Sequence, residues 1–488
     1  MAHELTEYRA AKNSMVFLFG SIGTRLLALV TFAILTRYLG EHDFGIFTAA
    51  VTYLALFGSL LDGGTENILI RDVARSEVEL SSRLGSMLLL KLLFAGLAVT
   101  LAFLLLPLAP MGAQGHAITL VMLLLFVLSP KFPTIRSVFE AVFRARLRVW
   151  FPFVAEIVSA LIFLGGLLIL VRMQGTLTGV AWLYALTGLP GLVILISGTL
   201  PHVRLRIRWD GSYIRTMLIE AWPLAVAGLL ITFTARINVL ILTGLRTMEE
   251  VGHYGAAYRL VEPLGFLPLA IVVSLFPLMS VYVEKDPRQL RHYFNAGFKI
   301  AALLSFGVAA LLVILAPLLI VLVYGSEFAA ATETLQMLGA SVPFWFCNVV
   351  FLHLVIAIGQ QKRSLRVFGV MLVVTIALNL LAIPRWGAAG AAGATVLTEL
   401  AACSVWVWIC RSWIRGDTGR FVAKLTGLHL VVGLGLWALP PLPLIWTALL
   451  YCTTAAAFFF VMRCHRDKDI RTFLRAVRRQ KNGEPEHG

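Results

Sequence analysis

The chain has 488 residues, of which 59% are hydrophobic and only 14% are charged. Soluble globular proteins carry about a quarter charged residues, so this composition excludes an ordinary water-soluble enzyme. The formal net charge of +15 would suggest nucleic acid in a soluble chain, but in a membrane protein the positions of the basic residues carry the information.

Hydropathy predicts about fourteen membrane-spanning helices, because apolar runs of about 20 residues recur from end to end. The predicted spans are residues 14–36, 44–66, 84–107, 117–140, 150–171, 177–200, 214–242, 252–282, 293–322, 331–357, 365–383, 389–411, 422–440 and 444–462. The loops between them are too short to fold as an extramembrane domain. The first span is too long for a signal-peptide core, so we expect it to stay attached. The predicted fold class is therefore an all-α integral membrane protein.

Basic residues are distributed asymmetrically between alternate loops. Loops after even-numbered spans are rich in arginine and lysine, whereas those after odd-numbered spans hold only Arg37, Arg172, Arg246 and Arg385. The tail from Arg463 to Lys481 is strongly basic. Because basic loops stay in the cytoplasm, we expect both termini on the cytoplasmic side and an even number of crossings.

The sequence contains an internal repeat. The segment from Asp43 to Ala50 matches the segment from Glu250 to Ala257 as acid-x-Gly-x-aromatic-x-Ala-Ala, at an offset of 207 residues. The repeat maps spans one to six onto seven to twelve in the same orientation. It predicts two pseudo-symmetric six-helix lobes (1–207 and 208–415) around a central cavity, followed by helices 13 and 14 (416–465) and a basic tail (466–488).

Three arginines within spans are candidate ligands for an anion. Arg25 lies near the middle of span one, and Arg236 and Arg259 lie in the outer halves of spans seven and eight. Ionisable groups in a membrane are costly and usually face a partner or a wet cavity, and guanidinium groups favour phosphate or pyrophosphate. The alternatives are that Arg259 pairs with Glu262 and that Arg236 extends outward to the interface.

Other ionisable residues within spans are weaker candidates. Lys91 and Lys299 could attract an anionic headgroup at a cytoplasmic entrance, although snorkelling to the headgroups is the alternative. Glu156, Glu220 and Glu399 could take up a coupling ion or neutralise an arginine. The chain has no phosphate-binding loop, no H-E-x-x-H and no paired cysteine motif, so we expect no metal, no cofactor and no catalytic residue. A gradient of H⁺ or Na⁺ is the candidate energy source.

Short motifs flank both copies of the repeat. The first copy carries Leu35-Thr36-Arg37-Tyr38-Leu39-Gly40, Asp43-Phe44-Gly45, Asp62-Gly63-Gly64 and Ile70-Arg71. The second carries the run from Glu250 to Leu260 and then Phe276-Pro277-Leu278. Together these motifs resemble the bacterial polysaccharide (O-antigen type) flippases of the multidrug/oligosaccharidyl-lipid/polysaccharide exporter superfamily. With the helix count, the resemblance covers essentially the whole chain.

The resemblance implies a transporter, not an enzyme. Such a protein moves a polyprenyl-pyrophosphate-linked oligosaccharide across the bacterial cytoplasmic (inner) membrane by alternating access, for cell-surface polysaccharide biosynthesis. The family lines its cavity with basic residues in helices one, seven and eight, which Arg25, Arg236 and Arg259 match. Lipid-linked glycan and membrane lipids are the implied partners, and a polysaccharide polymerase is a further candidate. The alternatives are a cation-coupled drug antiporter, which would use cavity carboxylates, and a lipid II flippase, in which an acid follows the helix-one arginine where this chain has Leu26.

Overall fold

The structure, a computed structural model, describes residues 2–75, 80–126, 135–146, 150–201, 203, 205–438, 447, 450, 451, 453 and 454. This part of the chain is almost entirely helical and contains no strand, which confirms the predicted fold class. Packing divides the chain into two compact units, Met1–Gly255 and Ala256–Gly488. This division differs from the lobe boundaries at 207 and 415, which come from the sequence repeat and stay a prediction.

The first unit contains nine helices and the start of a tenth among its described residues. They are α1 (Ala2–Asp62), α2 (Glu66–Arg75), α3 (Leu80–Leu105), α4 (Gly112–Leu124), α5 (Ile135–Ala145), α6 (Trp150–Arg172), α7 (Leu177–Leu186), α8 (Gly188–Thr199), α9 (Gly211–Leu245) and α10 (Met248–Val261). The second unit continues from α10 with α11 (Phe266–Lys285), α12 (Pro287–Tyr324), α13 (Ala331–Ala357), α14 (Gln361–Cys410) and α15 (Gly416–Ala438). Each unit has its own apolar core.

Two of these helices are sharply folded and correspond to two predicted spans each. Gly40 interrupts α1 with φ 71° and ψ 178°, and Gly387 interrupts α14 with φ 54° and ψ −131°. The Phe32 and Phe47 rings lie 6.5 Å apart on either side of Gly40. Positive φ strongly favours glycine, so each break has a residue suited to reversing the chain between spans.

Nine helical ranges of the described chain are long and apolar enough to cross a membrane. Two of them are the folded helices, so the nine ranges account for eleven predicted spans. Predicted span four is shorter than expected, because α4 ends at Leu124 and α5 is a separate amphipathic helix. Span 13 corresponds to α15, whereas span 14 and the basic tail lie largely outside the described residues.

Aspartate residues cap two of the long helices, α9 and α12. The Asp210 carboxylate accepts hydrogen bonds from the main-chain N–H groups of Ser212 and Tyr213 at 3.1 Å, which caps α9. These bonds, with one from the Ser212 hydroxyl, hold the pKa of Asp210 below its ordinary value. Asp286 caps α12 by accepting from the N–H of Arg288 at 2.8 Å, with Pro287 at the first helical position. The sequence thus defines where these spans begin.

The two copies of the repeat motif pack directly against each other. A Cβ on Gly45 would lie 1.8 Å from the main-chain oxygen of Met248, and a Cβ on Gly252 would lie 2.3 Å from that of Glu41. The two contacts are equivalent under the repeat, since Gly45 corresponds to Gly252 and Glu41 to Met248. Helices approach this closely only where both carry small residues. The glycines of the motif are therefore required by backbone packing.

We predict that Gly45→Ala and Gly252→Ala each lower the free energy of unfolding by about 2 kcal/mol or more, because neither contact has room for a methyl group. Thermal unfolding of the purified protein in detergent measures the effect. Gly228→Ala on α9 is the matched control, since no atom lies within 4 Å of the added Cβ. Equal midpoints for Gly45→Ala and Gly228→Ala would contradict the prediction.

Candidate functional site

Arg25 and Glu156, both predicted site residues, lie close enough to interact. Arg25 is partly buried on α1, and Glu156 lies on the exposed side of α6, which packs against α1. The Glu156 carboxylate interacts electrostatically with the guanidinium of Arg25 and more strongly with that of Arg136. The structure therefore places acidic and basic groups together in this region of the first unit, since Glu140 and Arg144 also interact with Glu156.

Arg136 is a candidate residue that sequence reasoning missed. Its side chain is only 5% exposed, and its Nε donates to Oε1 of Glu140 at 2.6 Å. Its Nη1 is buried and donates no hydrogen bond within the described part of the chain. A Cβ on Gly191 of α8 would lie 2.9 Å from this Nη1, so the guanidinium packs against α8. The four-residue spacing of Arg136 and Glu140 in an amphipathic run is the signal that could have revealed the pair.

A network of ion pairs joins the two amphipathic helices α2 and α5. Arg144 of α5 pairs with Glu66 of α2 and, at 3.0 Å, with Glu140. Burial raises the pKa of Glu66 above its ordinary value, although the Arg144 guanidinium opposes the shift. Arg71 of α2 pairs with Glu220 of α9 at 2.7 Å. Glu220, a predicted coupling residue, therefore already has a basic partner.

Arg236 lies partly buried on α9, which packs against α1. At one end of this contact a Cβ on Gly64 would lie 2.5 Å from the main-chain oxygen of Ala221. Near Arg236, the amide of Asn238 donates to the hydroxyl of Tyr254 on α10. The polar pair fixes this stretch of α9 against α10. That Arg236 and Arg25 face each other across a cavity stays a prediction.

Arg259 lies partly buried on α10, in the second unit. Its Nη1 is 3.6 Å from Oε2 of Glu262, so the ion pair offered as an alternative by the sequence is present. Arg259 also interacts electrostatically with Tyr324, at the end of α12. The role of Arg259 as a substrate ligand stays a prediction.

The two lysines are buried inside the protein, each with 1% exposure, so the snorkelling interpretation is wrong. Lys91 Nζ donates to the main-chain oxygens of Leu61 at 2.8 Å and Asp62 at 3.0 Å, and lies 3.4 Å from the Asp62 carboxylate. It thus neutralises the carbonyl end of α1. Lys299 Nζ donates to the Asp417 carboxylate at 2.9 Å. That either lysine attracts an anionic headgroup at a cytoplasmic entrance stays a prediction. It requires the lysine to break these hydrogen bonds.

Glu399 differs from the other two predicted coupling carboxylates. It lies on the second half of α14, where its carboxylate accepts a hydrogen bond of 2.6 Å from Nδ2 of Asn348 on α13. The same nitrogen donates to the main-chain oxygen of Glu399 at 3.0 Å, and Oδ1 of Asn348 is buried with no hydrogen-bond partner in the described residues. No basic side chain of the described chain forms an ion pair with Glu399. The site is therefore an amide-bonded carboxylate without a counter-charge.

Comparison with known proteins identifies the family. Residues 10–283 match the family model of the polysaccharide biosynthesis proteins, which covers more than half of the chain. The chain belongs to the polysaccharide biosynthesis protein family. Residues 223–381 of this family member also match the MatE model. These matches confirm the resemblance seen in the sequence motifs.

Two curated relatives extend over most of the chain. A Shigella flexneri protein provisionally named as an O-antigen transporter is 23% identical over 405 residues, covering 78% of this chain and 93% of its own length. A Haloferax volcanii protein provisionally named as the low-salt glycan biosynthesis flippase Agl15 is 22% identical over 383 residues and 78% of each chain. The family member is therefore similar along most of its length to proteins named for glycan transport.

Solved structures share the fold. The inward closed conformation of the lipid II flippase MurJ superimposes with a TM-score of 0.72 at 14% identity, covering 92% of this chain and 99% of MurJ. An inward-facing multidrug resistance MATE family transporter gives a TM-score of 0.64 at 14% identity, covering 82% and 95%. The family member is thus a multi-pass membrane protein with the fold of these transporters.

We predict that Lys91→Met lowers the free energy of unfolding by about 2 kcal/mol, because it leaves the carbonyl end of α1 and Asp62 without their cation. Lys299→Met has a smaller effect of about 1 kcal/mol, because Asp417 keeps an ion pair of 3.2 Å with Arg415. Chemical unfolding in detergent measures both. The double variant Lys91→Met/Asp62→Asn should recover part of the loss of unfolding free energy. If Lys91→Met and Lys299→Met lose the same amount and the double variant recovers none of it, the contacts of Lys91 do not stabilise the end of α1.

Proposed function

We propose that the protein flips a polyprenyl-pyrophosphate-linked oligosaccharide from the cytoplasmic to the periplasmic leaflet by alternating access, for cell-surface polysaccharide biosynthesis. The observation that carries the proposal is the family match over 10–283 in a chain that shares its fold with a lipid II flippase. The names of the Shigella and Haloferax relatives support the same substrate class. A polysaccharide polymerase is a candidate partner.

The chemistry of the candidate arginines suits this substrate. Pyrophosphate is an anion that planar guanidinium groups bind by paired, charge-assisted hydrogen bonds. Arg25, Arg236 and Arg259 are all partly buried, so a bound anion would be screened less by water than at an exposed arginine. We assign the pyrophosphate to these three residues, the glycan to a hydrated passage and the polyprenyl tail to the lipid.

The direction of transport rests on the distribution of basic residues. The arginine-rich loops indicate that both termini face the cytoplasm, and the family implies the bacterial inner membrane. Glycans attached to polyprenyl carriers on the cytoplasmic face must cross to the other leaflet before they reach the cell surface. The proposed orientation therefore places the basic loops on the side where the substrate is loaded.

A cation-coupled small-molecule antiporter is the second candidate, and the MatE match over 223–381 favours it. Such a transporter would bind cationic substrates through carboxylates. Of the three carboxylates considered, Glu220 is neutralised by Arg71 and Glu156 interacts with Arg136 and Arg25. Two of the three carboxylates therefore already lie beside basic groups, which leaves fewer acidic groups for a cationic substrate and favours the flippase.

The flippase is tested by a leaflet-accessibility assay in proteoliposomes that contain polyprenyl-pyrophosphate oligosaccharide. We expect Arg25→Ala and Arg236→Ala each to lower the initial rate of glycan exposure by roughly tenfold or more, because each removes charge-assisted hydrogen bonds to pyrophosphate. Arg385→Ala, at an exposed arginine beside the Gly387 turn, is the control and should keep the wild-type rate.

Purified amounts and unfolding midpoints of the variants check that insertion is intact. Normal glycan exposure by Arg25→Ala would remove the central role given to that residue. Movement of a cationic dye without movement of glycan would show that the substrate class is wrong and would support the antiporter.

We propose further that a proton gradient drives the cycle through Glu399. Its carboxylate has an amide donor but no ion pair with a basic side chain among the described residues, so protonation removes a charge that these surroundings do not neutralise. In the same proteoliposomes, Glu399→Gln should abolish the stimulation of flipping by a pH gradient while leaving flipping without a gradient. Glu220→Gln, at the carboxylate paired with Arg71, is the control. Stimulation by a sodium gradient alone, or by pH in Glu399→Gln, would contradict the assignment.

A further inference from the structure

A groove of about 500 Å³ opens at the end of the α14 hairpin opposite the Gly387 turn. The two halves of α14 run antiparallel, as shown by the bond of 3.3 Å between the hydroxyls of Thr375 and Thr398. Arg363 and Arg366 line the groove from the first half, and Arg411 lines it from the end of the second. These three residues are far apart in sequence from Arg25 and Arg236 and are not part of the proposed pyrophosphate site.

Within the described part of the chain, no ion pair neutralises the positive charge of this groove. Arg363, Arg366 and Arg411 are all exposed, and no acidic side chain in the described part of the chain forms an ion pair with them. The neighbouring basic residues are different: Arg415 pairs with Asp417, and Arg291 donates to the main-chain oxygens of Trp413 and Ile414. Three converging guanidinium groups without a counter-charge are suited to a phosphate.

The wall of the groove below the arginines is apolar and exposed. Val370, one turn after Arg366, is 56% exposed, and Trp408, one turn before Arg411, is 66% exposed. Val405 and Ile409 complete the wall, and the buried Met371 lies at its base. A charged rim next to an apolar wall matches a molecule that has an anionic head and a hydrocarbon chain.

We propose that this groove binds an anionic glycerophospholipid of the cytoplasmic leaflet, with its phosphate on Arg363, Arg366 and Arg411 and an acyl chain along Val370 and Trp408. The three arginines belong to the loops predicted to be cytoplasmic, where anionic lipids are concentrated and basic pockets between helices bind their headgroups. Trp408 has the amphipathic ring that favours the membrane interface. The site needs no transported substrate, so it stands independently of the proposed function.

The proposal is tested by the quenching of Trp408 fluorescence with lipids brominated on their acyl chains. The full-length protein is reconstituted in phosphatidylcholine with a minor fraction of brominated phosphatidylglycerol or, in parallel, brominated phosphatidylcholine. The Trp408→Phe variant gives the signal of the other tryptophans, which is subtracted. We expect the phosphatidylglycerol to quench Trp408 well above the level of phosphatidylcholine at the same mole fraction.

The variant Arg363→Gln/Arg366→Gln/Arg411→Gln should lower the affinity for the anionic lipid relative to the neutral one by roughly tenfold or more. Arg385→Gln, at the other end of the same hairpin, is the matched control and should retain the wild-type preference. The variant Arg363→Lys/Arg366→Lys/Arg411→Lys should keep most of the preference for the anionic lipid, since the positive charge remains. It is the control that the loss in the glutamine variant comes from the loss of charge and not from unfolding.

Competition experiments distinguish binding of this lipid from binding of other phosphate-containing ligands. Inorganic phosphate in the buffer should not displace brominated phosphatidylglycerol, because it makes no contact with the apolar wall, and unbrominated phosphatidylglycerol should displace it. Equal quenching by both brominated lipids, or an unchanged preference in the glutamine variant, would overturn the proposal. Displacement by polyprenyl pyrophosphate but not by unbrominated phosphatidylglycerol would also overturn it, by assigning the groove to the carrier.

Discussion

The close approach of Gly45 and Gly252 is the constraint on which the arrangement of the first unit depends. Each glycine lies against a main-chain oxygen close to the other motif, so the backbones of residues 41–45 and 248–252 meet without side chains between them. A Cβ at 1.8 Å cannot be accommodated by a side-chain rotation, because the obstacle is backbone. The contact fixes where α1 turns at Gly40 and where α9 gives way to α10. Two equivalent contacts also explain why both copies of the motif keep glycine at the same place.

Each copy of the repeat also contains a buried lysine, although the two lysines have different hydrogen-bond acceptors. Lys91 and Lys299 occupy nearly equivalent places and are equally buried, yet one binds carbonyls at the end of α1 and the other binds Asp417. Asp417 is itself the repeat equivalent of Asp210, which caps α9. Since Asp417 lies in the first turn of α15, that helix follows the second copy of the repeat as α9 follows the first. A buried ammonium needs several oxygen acceptors, and both copies supply them from the loop or helix end that lies nearest.

Hydropathy predicted most of the fold because membrane spans depend on composition averaged over about 20 residues. The same averaging concealed α2 and α5, since these short helices owe their place to one amphipathic face. At the candidate site, the sequence identified residues that carry charge inside spans but not their partners. Arg136, Asn348 and Asp417 were missed because each acts through contacts with residues distant in sequence, apart from the Arg136–Glu140 pair. The Arg259–Glu262 pair, three residues apart, was foreseen, and the four-residue spacing of Arg136 and Glu140 could have revealed that pair as well.

The arginines of this chain fall into groups that differ in what their guanidinium groups contact. Arg71 and Arg144 pair with carboxylates on neighbouring helices, and Arg136 pairs with a carboxylate of its own helix; these pairs stabilise the first unit. Arginines at a groove with an apolar wall, such as Arg366 and Arg411, can hold a phosphate only on a molecule that also fills that wall. A partly buried arginine such as Arg25, beside the carboxylate of Glu156, would hold an anion in a polar surrounding where a glycan can stay hydrated. A phosphate group could bind at either the α14 groove or Arg25. The groups around each guanidinium must therefore select between a resident lipid and a transported carrier.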